Sequence, residues 1–164
     1  MWWRETRADF DRYQGEGNRQ LMKELVDAGQ APGVIAYIDN QPIGWCSIAP
    51  RENYSSLNRS RVLKPIDEKP VWSIVCFFVA KGYRGKGLIS DLIKAAVDYA
   101  GANGGKIVET YPTIPRGRKL APVSSFMGFP DVFERAGFVL VAQPSEARAI
   151  MRYTIKVDEI ATDQ

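Results

Sequence analysis

The stretch "FFVAKGYRGKGLISDLIKAAVDYA", residues 77–100, combines three kinds of local pattern. It begins with the end of an apolar run, passes through a basic, glycine-containing loop and continues with apolar residues at helical spacing. Unalternating apolar residues are typical of a strand covered on both faces, and the spacing after the loop is that of an amphipathic helix. The stretch therefore predicts a buried strand, a tight loop and a helix in direct succession.

The loop has the features of an anion-binding site. A helix N-terminus presents unpaired backbone N–H groups and the positive end of a dipole, which attract phosphate. Gly85 and Gly87 allow the backbone to approach a ligand without an intervening Cβ. Lys81, Arg84 and Lys86 add positive charge. These residues predict a ligand that carries a pyrophosphate.

Two other phosphate-binding motifs compare less well with this loop. A P-loop requires Gly-Lys-Ser/Thr at its end, and "GYRGKGLI" lacks it. A dinucleotide fingerprint would place Ser90 at its third glycine and Glu109 about 20 residues on, which would indicate a nicotinamide-dependent oxidoreductase. However, five residues separate Val79 from Gly85, and the chain predicts one clear parallel crossover where that fold needs several.

The remaining patterns predict one α/β domain over residues 1–164 with a mixed sheet, in the order α-α-β-β-β-α-β-α-β-β. Thr6 with Asp9 indicates the cap of the first helix, Asn18 is expected to cap the second, and Gly29 to end it. The predicted elements are helices at 7–14 and 18–29, strands at 34–38, 43–49 and 71–79, a helix from 88 to the "GANGG" stop, a strand at 106–111, a helix at 130–135, and strands at 138–142 and 149–157. The segment 51–70 is polar and predicted to be irregular.

Composition is that of a soluble globular protein, with 45% apolar and 25% charged residues. No run of about 18 apolar residues predicts a membrane span, and the first residues lack the layout of a signal peptide, so a cytoplasmic location is expected. The net charge of +3 comes from scattered basic residues. Nucleic-acid binding is therefore not favoured, because it usually needs a concentrated basic stripe.

The chain has no histidine, which excludes Ser-His-Asp and Cys-His hydrolase mechanisms and any histidine-based metal site. We expect no metal cofactor. Acid–base chemistry must come from carboxylates, Tyr, Lys, Cys or water. Cys46 and Cys76 lie in apolar stretches and are expected to be buried, reduced and inert.

"FFVAKGYRGKGL" resembles the acetyl-coenzyme A (acetyl-CoA) loop of the GCN5-related N-acetyltransferase (GNAT) superfamily, and "FERAGF", residues 133–138, resembles a second segment of it. The element order matches over most of the chain. "GWCSIAPR", "VETYP" and "AIMR" look like a bacterial branch of the superfamily. The resemblance implies the acyl-CoA N-acyltransferase fold, in which the central strand splays from its parallel neighbour.

The resemblance also implies acetyl-CoA as co-substrate and a small-molecule or protein amine as acceptor. Backbone groups of Phe77 and Val79 would hold the pantetheine arm and offer an oxyanion donor, and the pyrophosphate would lie on 84–89. The full set of expected coenzyme-binding residues is Phe77, Phe78, Val79, Lys81, Arg84, Gly85, Lys86, Gly87, Leu88 and Ile89.

Glu109 is the candidate general base, because it lies on the strand beside the splay among apolar residues. The alternative to this catalytic role is that Glu109 forms a structural ion pair. Tyr111 is the candidate acid that protonates the leaving thiolate, with core packing as its alternative. Many family members carry a Tyr where this chain has Phe133, and some a Glu where it has Ser73. A CoA-binding sensor without turnover is therefore a second hypothesis.

The acceptor pocket is expected to form from residues 1–30, 51–70 and 112–129. Trp2 and Trp3 are candidates for its wall, whereas Trp45 and Trp72 are expected to pack in the core. An exposed last strand could pair with a second chain and form a homodimer.

Overall fold

The computed structural model describes residues 1–115 and 126–156. Within these residues six strands form one mixed sheet, in the order β1-β2-β3-β4-β6-β5. The strands are β1 Val34–Ile38, β2 Gln41–Pro50, β3 Trp72–Val79, β4 Ile107–Thr110, β5 Val139–Ser145 and β6 Arg148–Thr154. The helices are α1 Arg7–Arg12, α2 Glu16–Asp27, α3 Ser55–Asn58, α4 Leu88–Ala102 and α5 Pro130–Arg135, with 3-10 turns at Arg51–Asn53 and Lys81–Tyr83.

The predicted mixed α/β class and the order of the main elements are confirmed. Among the described strands, β3 and β4 form the one parallel pair, connected by α4, and every other pair is antiparallel. The described strands therefore do not form the doubly wound parallel sheet that the dinucleotide interpretation requires. The segment 51–70, predicted to be irregular, contains the short α3. The end of the last predicted strand, residue 157, lies outside the described residues.

The first two helices begin differently from each other. Thr6 caps α1 as predicted, because its Oγ1 accepts a hydrogen bond of 3.0 Å from the Asp9 N–H. The cap predicted at Asn18 is wrong: α2 begins at Glu16, after Gly15 with φ 67°. Asn18 lies in the first turn, and its Nδ2 donates to the Phe10 carbonyl at 2.9 Å. Its amide therefore ties the two helices together and does not cap α2.

Strand β3 is covered on both faces, as its unalternating sequence predicts. On one face Ile74 and Phe77 belong to a core that includes Leu92 and Ile93 of α4. On the other face Val75 packs in a second core, whose buried members are Ala49, Tyr54, Leu57, Leu63, Val75, Tyr111, Met127 and Ile150. The two cores hold the strand that ends at the glycine loop.

Strands β3 and β4 pair over a short distance. Their parallel register covers three residue pairs, Trp72–Val108, Ser73–Glu109 and Ile74–Thr110. Strand β4 then ends, whereas β3 continues to Val79. Beyond Ile74, β3 has no strand partner on this side among the described residues, which is the predicted splay.

The sheet ends at β5, not at the last strand. Strand β6 lies between β4 and β5, so the prediction that the last strand is exposed at an edge is wrong. The antiparallel hairpin places β5 outside β6. Val139, Leu140 and Val141 of β5 are exposed. A homodimer stays a prediction, although not through the last strand as proposed.

The exit from α4 into β4 requires a glycine at 105. A Cβ there would lie 2.8 Å from the Ala100 carbonyl oxygen and 2.7 Å from Cδ1 of Trp72. We expect Gly105→Ala to lower the free energy of unfolding by about 1–3 kcal/mol, as overpacking does. Urea denaturation measures it. Gly82→Ala is the matched control, because no described atom lies within 4 Å of its Cβ. Equal stability of the two variants would contradict the close approach.

Candidate functional site

A cavity of about 640 Å³ opens where β3 meets the N-terminus of α4. We call it the loop cavity. Its wall consists of Phe77, Phe78, Val79, Tyr83, Arg84, Gly85, Gly87, Leu88, Ile89, Ser90, Phe126, Val132 and Arg135. The structure thus brings together all the predicted coenzyme-binding residues except Lys81 and Lys86, neither of which is part of the wall. Lys86 instead lies over the Tyr83 ring, with its Nζ 5.5 Å from the ring centroid.

Gly85 and Gly87 give the loop cavity an exposed backbone. Both have left-handed conformations, with φ 72° and φ 83°, which other residues adopt rarely. No described atom lies within 4 Å of the position that a Cβ would take at either residue. Gly87 is the N-cap of α4 and provides no side-chain cap, and the Ser90 N–H of the first turn donates to the Gly87 carbonyl at 2.9 Å. Arg84 ties the loop to β3, because its Nε donates to the Val79 carbonyl at 2.9 Å.

The splay contains a contact that the sequence does not predict. The Phe77 N–H donates to the Phe126 carbonyl at 2.7 Å. The backbone donor expected at Phe77 is therefore used within the protein. The side chain of Phe133, at the position of the family's Tyr, is buried, with its ring centroid 5.3 Å from that of Phe138.

A second cavity, of about 390 Å³, adjoins the first along β3. We call it the aromatic pocket. It is lined by Met1, Trp2, Trp3, Arg4, Met22, Trp45, Ser47, Tyr54, Val75, Cys76 and Phe126. Phe126 lines both cavities, and Cys76 precedes Phe77 of the loop cavity. The two cavities therefore have a common wall residue, Phe126, at the splay.

The tryptophans divide between pocket and core. Trp2 and Trp3 line the aromatic pocket, as predicted. The prediction that Trp45 belongs to the core is wrong, because it also lines this pocket. Trp72 does pack in the interior, with its ring 5.7 Å from that of Tyr99. Of the other segments expected around an acceptor, 116–125 lies outside the described residues.

Glu109 lies in a buried ion-pair network and lines neither cavity. Its Oε1 accepts hydrogen bonds from Nη1 of Arg51 at 3.1 Å and from the Tyr111 hydroxyl at 2.7 Å. Its Oε2 accepts one from Nε of Arg152 at 2.7 Å. Both oxygens are thus occupied. The geometry supports the ion-pair alternative and gives no support to a role as general base.

Tyr111 belongs to the same network. Its hydroxyl lies 2.8 Å from Oγ of Ser73 and accepts a hydrogen bond of 2.7 Å from Arg51. Burial and the charge of Glu109 raise the pKa of Tyr111 well above its usual value. The side chain is fully buried and lines neither cavity, which supports the packing alternative over the acid.

The network also attaches the segment 51–70 to the sheet. Arg152 binds Asp67 through two hydrogen bonds, of 2.7 and 3.0 Å, and Arg51 donates to the Leu63 carbonyl at 2.6 Å. The sequence contains one signal for this network. Glu109 is an isolated charge in an apolar strand, and a buried carboxylate needs a cationic partner.

Comparison with known proteins assigns the family. The sequence matches the family model of the acetyltransferase (GNAT) family over residues 1–118. The chain belongs to the GNAT family. A sequence comparison with curated proteins gives no significant match.

Solved structures share the GNAT fold at low sequence identity. An acetyltransferase of the GNAT family from Desulfovibrio desulfuricans has a TM-score of 0.55 and 21% identity, with 87% of this chain and 83% of that chain covered. The ribosomal-protein-alanine N-acetyltransferase of Brucella melitensis has a TM-score of 0.54 and 15% identity, with 85% and 78% covered. A chain of the NatC complex bound to Gag peptide and CoA has a TM-score of 0.51 and 13% identity, with 84% and 79% covered.

The cavity walls of this GNAT protein contain few side chains that could act as a general acid or base. Among residues 1–115 and 126–156, no carboxylate lines either cavity. The prediction that Cys76 is buried is wrong, because it is only partly buried and lines the aromatic pocket. Its partial burial raises the pKa of its thiol. In the same part of the chain no group of three or more metal-ligating side chains comes together, and no helix has the length and apolar character to span a membrane.

We expect Glu109→Gln to destabilise this GNAT protein, because it leaves the buried Arg51 guanidinium without a carboxylate and Arg152 with Asp67 alone. Breaking a buried ion pair typically costs about 3–5 kcal/mol. Urea denaturation with and without the substitution measures the loss. Asp98→Asn is the control, because it breaks an exposed pair with Lys94 and should cost less than about 1 kcal/mol. A Glu109→Gln protein as stable as the Asp98→Asn control would contradict the structural role.

Proposed function

We propose that this GNAT protein transfers the acetyl group of acetyl-CoA to an amine of a small molecule or a protein. Membership in the family supports acyl transfer in general. The observation that carries the finer proposal is the junction of two cavities at the splay of β3, one with an exposed glycine backbone and one with an aromatic wall. Such a junction can bring a thioester and an amine together from opposite sides.

The chemistry of the loop cavity wall suits the coenzyme. The backbone of 84–89, at the positive end of the α4 dipole, would bind the pyrophosphate. Phe77, Phe78 and Val79 provide an extended, largely apolar wall for the pantetheine arm. When bound, acetyl-CoA supplies an acyl thioester whose carbonyl carbon accepts the amine.

Protons would move to and from water in this proposal. An alkyl amine with a pKa of about 10 is mostly protonated at pH 7, so it must lose a proton before it reacts. The chain has no histidine, and no carboxylate of the described residues lines either cavity. Phe133 has no hydroxyl to protonate the thiolate. We therefore assign both proton transfers to solvent at the junction.

One observation favours a second candidate, a CoA-binding module without turnover. The Phe126 carbonyl occupies the Phe77 N–H, which would otherwise be free to stabilise an oxyanion. An assay for free thiol with a panel of amines separates the two candidates, because both bind CoA and only the enzyme releases it from acetyl-CoA.

Acetyl-CoA and CoA should each raise the melting temperature, because they bind the folded loop. Gly87→Glu should abolish this shift by placing a side chain and a negative charge at the phosphate position. Gly104→Glu is the matched control, because Gly104 also has positive φ with open space around its Cβ and lies just beyond the other end of α4. A shift that persists in a folded Gly87→Glu protein would locate the coenzyme elsewhere.

The pH dependence of turnover tests the solvent route. The rate should rise about tenfold per pH unit while the neutral fraction of the amine grows. Folded Glu109→Gln and Tyr111→Phe proteins should keep the shape of this profile. Loss of a general base costs about 10²–10⁴-fold, and that loss would shrink at high pH. The rate is measured as thiol release. A hundredfold lower rate at pH 7 in Glu109→Gln alone would show that Glu109 is the general base.

A further inference from the structure

The aromatic pocket has a wall suited to a flat apolar ligand. Three tryptophans, Tyr54 and Phe126 line it. Aromatic walls hold planar groups through stacked and edge-on contacts that add to the gain from burial. The few polar side chains in this wall include the Tyr54 hydroxyl, which already lies 3.1 Å from Oγ of Ser47. The body of the ligand is therefore selected by aromatic contact.

Two buried donors in the same wall lack an acceptor. Nε1 of Trp3 and Nε of Arg4 are inaccessible to solvent and have no hydrogen-bond partner among residues 1–115 and 126–156. A buried donor without an acceptor is rare and costly in folded proteins. Because neither nitrogen is accessible to a water molecule, a ligand oxygen would reach them only after the Trp3 and Arg4 side chains turn toward the pocket.

The charge of Arg4 indicates which kind of oxygen acceptor suits the pocket. No carboxylate of the described residues forms an ion pair with Arg4. Its guanidinium lies over the Tyr54 ring, 4.8 Å from the centroid. Arg4 also lines a neighbouring cavity together with Glu5 and Glu24, but it forms an ion pair with neither of them. Its unpaired guanidinium therefore favours an anion over polycationic acceptors such as polyamines. A carboxylate balances the charge of Arg4 and can accept hydrogen bonds from both donors once these side chains turn toward it.

We propose that the aromatic pocket binds an amine acceptor with an aromatic body and a carboxylate, as in a free aromatic α-amino acid. The inference rests on the proposed function for its chemistry, but not for its binding site. The carboxylate faces Arg4 and Trp3, and the amine faces Phe126, where the two cavities meet. The amine nitrogen forms the bond to the thioester carbonyl carbon and the C–S bond breaks. The amine loses its proton to water and the thiolate gains one from water, which gives an N-acetyl amino acid and CoA.

Binding is tested on the full chain without coenzyme, by quenching of tryptophan fluorescence and by thermal shift. L-Phenylalanine and 3-phenylpropionate, which has no amine to acetylate, should both bind. Phenethylamine and phenylalaninamide lack the carboxylate and should bind at least about tenfold more weakly, the loss expected for one charge-assisted contact. Alanine and spermidine should give no saturable signal.

Arg4→Met and Trp3→Phe each remove one of the two donors while keeping an apolar side chain. Each should weaken the binding of 3-phenylpropionate about tenfold and leave the CoA-induced thermal shift unchanged. Arg19→Met is the matched control, because Arg19 is exposed and lines neither cavity. It should bind both ligands as the parent does.

Turnover separates this inference from the proposed function. Thiol release with phenylalanine, faster than with phenethylamine, supports both. Saturable binding of 3-phenylpropionate, without thiol release in the presence of any amine, supports the pocket assignment and contradicts the proposed acetyltransferase activity. Equal binding by the parent and both donor variants overturns the assignment. Preferred acetylation of phenylalaninamide, which represents a peptide N-terminus, or of spermidine also overturns it and leaves acyl transfer standing.

Discussion

The separation of β3 from β4 is the constraint on which the rest of the structure depends. Three parallel residue pairs hold the strands together as far as Ile74 and Thr110. Beyond them the backbone of β3 has no strand neighbour on that side among the described residues, and Phe126 supplies a carbonyl to the Phe77 N–H. Both cavities open along this length of β3, so the early end of β4 creates the site.

A buried ion-pair network stabilises the sheet just before the strands separate. Glu109 lies opposite Ser73 on β3 and Arg152 on β6, and it also binds Arg51. With Asp67 the network contains two guanidinium groups and two carboxylates, so its formal charge is balanced. Because an unpaired buried charge is costly, this network favours one arrangement of the segment 51–70 against the sheet.

The walls of the two cavities differ in chemical character. The loop cavity has glycine backbone in its wall, with no described atom within 4 Å of a Cβ position at Gly85 or Gly87. In the aromatic pocket rings provide most of the wall, and Trp3 and Arg4 add two unpaired donors. Phe126 belongs to both. The proposed coenzyme, which carries phosphates and peptide-like amides, and the proposed acceptor with an apolar body would suit these opposite characters.

The sequence by itself determined the elements whose signals are local. Helical spacing predicted α4, an unalternating apolar run predicted β3, and the loop between them predicted the cavity. Only the tertiary structure decided what Glu109 does, because its partners Arg51 and Arg152 lie 58 and 43 residues away in sequence. The same holds for Trp45, which faces a pocket although its strand pattern predicted core. Periodicity shows which residues share a face, whereas the partner of a buried charge or ring depends on which distant segments pack against that face.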